Sequence, residues 1–296
     1  MTAAGYRGRF APSPTGPLHF GSLAAAVASY LDAKHHDGIW LLRMEDLDVP
    51  RSMPGASEDI LDTLSAFGLA SDEPVMYQSQ RTSAYEMALQ QLKEISAAYP
   101  CCCTRREILD STLHGIEGPV YPGTCRKGIA FGREGKAWRV RTNDEAVAFE
   151  DRLQGRISQH IESGIGDFIV RRADNLFAYQ LAVVVDDAAQ KITHVVRGAD
   201  LLYSTPRQMH LQKLLGLATP NYMHLPIAVN GKGEKLSKQT LARPVEKNPE
   251  TMFKVLLFLR QQPPDELRSS GIEEMLSWAV AHWQPERIAG CRQFSV

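Results

Sequence analysis

Apolar and polar positions change period several times along the chain, and each change predicts an element. Arg7 to Ala11 predicts a short strand. Ser22 to His35, rich in Ala and Leu, predicts a helix with Ser22 placed to cap it. Gly38 to Met44 (GIWLLRM) is nearly all apolar and predicts a buried strand. Ser57 to Phe67 predicts a second helix, with Ser57 as its cap, and Gln80 to Ala98 a third. Strand, helix, strand with short connections is the pattern of a parallel sheet.

The pattern then breaks. Tyr99 to Arg133 holds cysteine, glycine and proline without a clear period. Strand-like pieces follow at Trp138 to Arg141 and Val147 to Asp151, and strand character returns at Ala178 to Val185 and Ile192 to Arg197. Ser204 to Leu215 predicts a helix, Tyr222 to Asn230 a strand and turn, and Pro249 to His282 a mostly helical end. The expected fold is α/β: a Rossmann-like parallel sheet split by an α+β insertion, with a short helical C-terminal tail. The two halves of the sheet domain are expected at residues 1–98 and 176–243, the insertion at 99–175 and the tail at 244–296.

Composition narrows the class. With 44% hydrophobic and 23% charged residues, the 296-residue chain reads as a soluble globular enzyme and not a disordered segment. No apolar run is long enough to span a bilayer, and Met1 to Phe10 lacks the apolar stretch of a signal peptide, so a cytoplasmic protein is expected. The formal net charge of −1 does not announce a nucleic-acid partner, so any such surface must be local. The short basic pairs Arg105-Arg106, Arg126-Lys127 and Arg171-Arg172 read individually as solvated surface. Five cysteines, an odd count without a secretory signal, argue against a disulfide framework and toward metal.

Phe10 to Ser22 reads F-A-P-S-P-T-G-P-L-H-F-G-S, between the first predicted strand and the first predicted helix. Helix N-termini present unpaired N–H groups and partial positive charge to phosphates. Gly21 removes a side chain where a nucleotide must approach, and His19 can donate to a phosphate oxygen. An isolated H-x-G means little, but the whole P-S-P-T-G-x-L-H-x-G at this position points to nucleotide chemistry. Gly233 to Gln239 reads G-E-K-L-S-K-Q, and Lys235 and Lys238 can neutralise charge on departing pyrophosphate.

The first segment resembles the "HIGH" signature of class I aminoacyl-tRNA synthetases in its glutamyl and glutaminyl form, with Ser22 in the fourth position. The second resembles their "KMSKS" loop. The resemblance runs from Arg7 to about Arg243. It implies that Arg9, with Phe10, Ala11, Pro12 and Ser13, lines the glutamate pocket, that Glu45 meets the α-ammonium, and that Tyr179 and Arg197 also face glutamate. Arginine suits carboxylates through its planar fork. It implies His19, Gly21 and Lys238 at ATP, with His19, Lys235 and Lys238 stabilising charge, and Mg²⁺ accompanying ATP. Asp46, Asp48, Asp186, Asp187 and Asp200 gather near strand ends, where one or two could orient arginines or help hold magnesium.

Cys101, Cys103 and Cys125 suit structural zinc, which takes four ligands. On the pattern of the related synthetases and their short paralogues, Tyr121 supplies the fourth, with Cys102 and His114 as rivals. The other histidines (His35, His36, His160, His194, His210, His224, His282) show no metal spacing and read as ordinary structure.

About sixty residues follow the K-L-S-K-Q loop, fewer than an anticodon-reading domain needs. Length, cysteine spacing and the lysine loop resemble the glutamyl-queuosine-tRNA(Asp) synthetases. That resemblance implies tRNA-independent formation of glutamyl-adenylate, then transfer of glutamate to queuosine in the anticodon loop of tRNA(Asp). A monomer is expected. Rival readings are a shortened glutamyl-tRNA synthetase charging the 3′ end, a nucleotidylyltransferase with a related loop, and a non-catalytic zinc protein that binds RNA.

Overall fold

The structure is a computed structural model that describes residues 5–109, 114–115, 118–230 and 244–295. Strand β1 (Arg7–Phe10) pairs in parallel with β2 (Ile39–Met44), Arg9 opposite Leu41. Helix α1 (Phe20–His35) makes the crossover between them. Gly38 turns the chain back into β2; a Cβ there would stand 2.7 Å from the Tyr6 carbonyl and 2.9 Å from that of Ala33, so only glycine fits. Helix α2 (Ala56–Ala66) leads to β3 (Met76–Tyr77), parallel to β2, and α3 (Thr82–Glu94) follows.

Three expectations are corrected here. The cap of α1 is His19, whose Nδ1 accepts from Ser22 N at 3.3 Å; Ser22 already lies in the first turn. Helix α2 begins after Gly55 in the left-handed region, not at Ser57. Helix α3 stops at Glu94 because Ser96 adopts φ 56° and Ala97 N closes back on Leu92 O at 2.8 Å, which frees Ala98 to start a strand.

That strand, β4 (Ala98–Cys101), opens the middle region. Helix α4 (Arg105–Leu109) and the small pair β5 (His114–Gly115) and β6 (Gly118–Pro119) follow. Next come β7 (Ala137–Val140), the hairpin β8 (Ala146–Asp151) and β9 (Gly155–His160), α5 (Ile161–Gly164) and β10 (Phe168–Arg171). Strands β10, β7 and β4 form an antiparallel sheet.

The segment read as a strand at Ala178 to Val185 is helix α6 (Tyr179–Ala189). Its run Leu181 to Val184 is buried throughout, and a short apolar run fits a buried helix as well as a strand. Strand β11 (His194–Gly198), helix α7 (Thr205–Leu215), β12 (Asn221–Leu225) and β13 (Ile227–Val229) follow. Strands β11 and β12 pair in parallel, and Thr193 N donates to Arg7 O at 3.0 Å, so β11 runs beside β1 and joins the two parts of the sheet. Strand β8 attaches to β12 at one parallel pair, Asp151 with Tyr222.

The tail is more than helical. After α8 (Pro249–Phe258) and α9 (Ile272–Ala281), strand β14 (Gln293–Ser295) pairs in parallel with β13. Met252, Phe253, Met275 and Trp283 share one apolar core with Leu23, Val27 and Leu31 of α1. Small Ala24, Ala26 and Ala28 on α1 are buried with them.

Candidate active site

Parallel strands leave a crevice at their carboxyl ends. Here the ends of β1, β2, β11 and β12, with the start of α1, surround a cavity of about 480 Å³, the size of a small-molecule site. Arg9 and Phe10 line it from β1, and Ala11, Pro12 and Ser13 from the loop beyond. Glu45 enters from just past β2, Arg197 from β11, and Tyr179 from the first residue of α6. His19 and Gly21 line it at the start of α1. A Cβ on Gly21 would fill the gap between His19 Cε1 and Ala228 Cβ, 3.4 and 3.6 Å away. Thus ten of the residues expected from sequence meet in one place, Tyr179 from a helix and not a strand. Lys235 and Lys238 lie outside the described residues.

The charges are arranged in two groups. Arg9 donates through Nε to Asp187 Oδ1 at 3.1 Å, and Arg43, wholly buried, donates to the same oxygen at 2.7 Å. Burial alone would raise the Asp187 carboxyl, but Arg9 and Arg43 outweigh it and hold it below the usual range. Burial pushes Glu45 up to about 7, opposed by Arg43 at 3.8 Å and by Arg9. In the second group Arg197 donates to His224 Nε2 at 3.0 Å, Thr205 Oγ1 at 2.9 Å and Tyr179 Oη at 3.3 Å. Of the five aspartates near strand ends, Asp187 orients Arg9, and Asp200 lines the cavity. Asp186 instead accepts from Gln78, Arg81 and Tyr85, Asp46 from Ser79, and Asp48 from Arg51 and Arg172.

Residues 6–251 match the catalytic domain model of the class I (E and Q) tRNA synthetases. The glutamyl-Q tRNA(Asp) synthetase of Dechloromonas aromatica is 57% identical over 282 residues, 94% of each chain. That of Thiobacillus denitrificans is 53% identical over 97% of this chain and 96% of its own. The chain belongs to the glutamyl-Q tRNA(Asp) synthetase branch of the class I (E and Q) tRNA synthetases. It is therefore a ligase, and of a class that uses ATP. A crystal structure of glutamate-tRNA synthetase from Elizabethkingia anophelis shares the fold, with TM-score 0.79 at 24% identity over 99% of this chain and 68% of that one. Among the described residues no helix of the synthetase is long and apolar enough to cross a membrane.

The synthetase carries a second cluster away from the cavity. The sulfurs of Cys101, Cys103 and Cys125 lie within 4.8 Å of one another, a set that could hold a metal ion. Tyr121 Oη sits 3.4 Å from Cys101 Sγ and 3.7 Å from Cys103 Sγ, and Cys103 Sγ is 3.5 Å from Cys125 Sγ. Metal–sulfur bonds of about 2.3 Å and metal–oxygen bonds of about 2.0 Å give tetrahedral edges of roughly 3.5–3.8 Å, and these three separations lie close to that range. Cys102 reaches Cys125 at 3.6 Å but is not one of the three mutually close thiols. The His114 side chain lies outside the described residues. Although burial opposes it, hydrogen bonds from the Cys102 backbone and the Tyr121 hydroxyl hold the Cys125 thiol down at about 7. Arg139 places its guanidinium over the Tyr121 ring and donates to Cys101 Sγ at 3.3 Å, a cation beside the thiol cluster.

Sequence reasoning missed Arg43, Asp151, Thr205 and His224. A charge inside the apolar run GIWLLRM, two residues before Glu45, was a usable signal for Arg43. His224 read as ordinary structure, and nothing local marks its partners.

Proposed function

We propose that the chain activates glutamate with ATP, without tRNA, and passes it to queuosine in the anticodon loop of tRNA(Asp). Two buried arginines and one largely buried carboxylate around a single cavity support this most strongly, because they complement an amino acid with two carboxylates and one ammonium. The names of the relatives supply the nucleic acid. The parallel strands β1, β2, β11 and β12 serve as a Rossmann-like nucleotide sheet, and the middle region as its zinc-containing insertion.

Arg9 and Arg197 take the carboxylates, Glu45 the ammonium, and Tyr179 and the Phe10–Ser13 segment shape the pocket. The α-carboxylate attacks the α-phosphate of Mg²⁺-bound ATP in line, and pyrophosphate leaves. The first turn of α1, with His19 and Gly21, receives the phosphates, and Lys235 and Lys238 neutralise the departing charge. A queuosine hydroxyl then attacks the activated carbonyl, AMP leaves with the electron pair of the broken C–O bond, and the hydroxyl proton passes to solvent. Cys101, Cys103, Tyr121 and Cys125 hold zinc, which orders the insertion and takes no part in the reaction. The protein works in the cytoplasm as a monomer.

ATP–pyrophosphate exchange without tRNA tests the first step, and transfer of labelled glutamate to tRNA(Asp) with and without queuosine tests the second. Exchange with glutamate alone, and label on the queuosine-containing tRNA only, are expected. Exchange with no amino acid would overturn activation without tRNA. Label on the 3′ end of tRNA(Glu) would favour an ordinary charging enzyme.

A further inference from the structure

Arg197 is gripped from behind by a chain of groups that do not line the cavity. Its Nε lies 3.0 Å from His224 Nε2, and His224 Nδ1 lies 2.6 Å from Asp151 Oδ2. Arginine can only donate, so Nε2 must accept, and a neutral imidazole then carries its proton on Nδ1, toward the carboxylate. The opposite tautomer would set N–H against N–H. Asp151 is itself pinned: its Oδ1 accepts from Leu153 N at 3.0 Å and Gln154 N at 2.9 Å, and the His224 amide donates to the same carboxylate at 3.1 Å. Both His224 and Asp151 are buried, and Thr205 fixes Arg197 Nη2 at 2.9 Å.

We propose that His224, held as its Nδ1–H tautomer by Asp151, is a positioning residue that fixes the Arg197 guanidinium for the amino acid. The inference rests on Arg197 contacting glutamate, as proposed above. Burial, only partly offset by Asp151 and reinforced by Arg197, lowers His224 to about 4, so the imidazole stays neutral and able to accept. A guanidinium already aimed loses less freedom when a carboxylate arrives. Asp151 belongs to β8, whose hairpin lies outside the parallel strands and meets them at the Asp151–Tyr222 pair. The middle region therefore supplies a group that controls the pocket from behind.

The test compares KM for glutamate and for ATP in pyrophosphate exchange among wild type, His224→Leu, His224→Gln and Asp151→Asn, with melting temperatures alongside. His224→Leu leaves Arg197 Nε without an acceptor, and its glutamate KM should rise roughly 10–100-fold while the ATP KM stays near wild type. His224→Gln, whose amide oxygen can reach the Nε2 position, should recover most of the loss. Asp151→Asn frees the ring to take the wrong tautomer and should fall between. An unchanged glutamate KM in His224→Leu, or equal rises of both KM values in all three variants, would overturn the proposal. If His224→Leu does not fold, His224→Gln and Asp151→Asn decide: equal glutamate KM values would overturn it. A wild type that exchanges with no amino acid defeats the activation reading instead. The ¹⁵N shifts of the His224 ring then decide on their own, with Nδ1–H expected and Nε2–H fatal.

Discussion

At Glu45 folding and the proposed binding role pull in opposite directions. Burial pushes its carboxyl up to about 7, against about 4.5 in the unfolded chain, so the fold prefers the neutral form. The stability this brings is complete below about pH 4.5 and is lost as pH rises through 7. Binding an ammonium needs the ionised form. Glu45→Gln should therefore raise Tm more at pH 8 than at pH 5, while glutamate KM rises by roughly a hundredfold. A Tm gain that is the same at both pH values would show that ionised Glu45 costs the fold nothing. In wild type, kcat/KM for glutamate should climb with pH to a plateau above about 7. Arg9, Glu45 and Arg197 were expected at the pocket through the resemblance, and only Arg9 adjoins a motif; Glu45 and Arg197 share with it a place at or just past a strand end. Asp151 and His224 were not expected, because 73 residues separate two side chains whose meaning exists only in contact.

Among the elements, α1 was read almost to its ends, because Ala and Leu over four turns favour a helix and the motif marks its start. Helix α6 was misread: Val183 to Val185 carry β-propensity, but burial on nearly all sides and the Asp186 and Asp187 ion pairs decide in favour of a helix. The thiol cluster shows the same division. Residue type pointed to metal, but only the fold puts Tyr121 Oη 3.4 and 3.7 Å from two of the thiols and Cys102 Sγ 3.6 Å from Cys125. Cys103→Ser and Cys125→Ser should each cut bound zinc, measured by mass spectrometry, well below about one per chain, and Cys102→Ser should keep it. Loss in Cys102→Ser alone would transfer the fourth position to that thiol.

Across the whole molecule the tail is bound into the body by polar contacts as well as apolar ones. Asp32 on α1, fully buried, accepts from the Tyr6 hydroxyl, from Arg152 in the β8–β9 turn at 2.8 Å, and from Trp283 Nε1 at 2.9 Å. Trp283→Phe leaves the buried carboxylate one donor short, its Oδ1 keeping only Arg152 at 3.0 Å, and should cost about 1 kcal/mol, a loss of a few degrees in Tm. A Tm equal to wild type would show that Asp32 needs no third donor. Neither the strand at Gln293–Ser295 nor this junction could be foreseen, since both depend on partners far off in sequence.

The adjacency of β11 and β1 also sets a timetable during synthesis. Residues 7 to 10 leave the ribosome early, but the strand that covers their open side begins at His194. Until then the nascent chain carries a bare strand edge, the feature that invites pairing with other chains. The cysteine cluster closes over only 24 residues, from Cys101 to Cys125, and can assemble meanwhile. Translation pauses before β11 is made would prolong exposure, so the synthetase should depend on chaperones until that strand emerges.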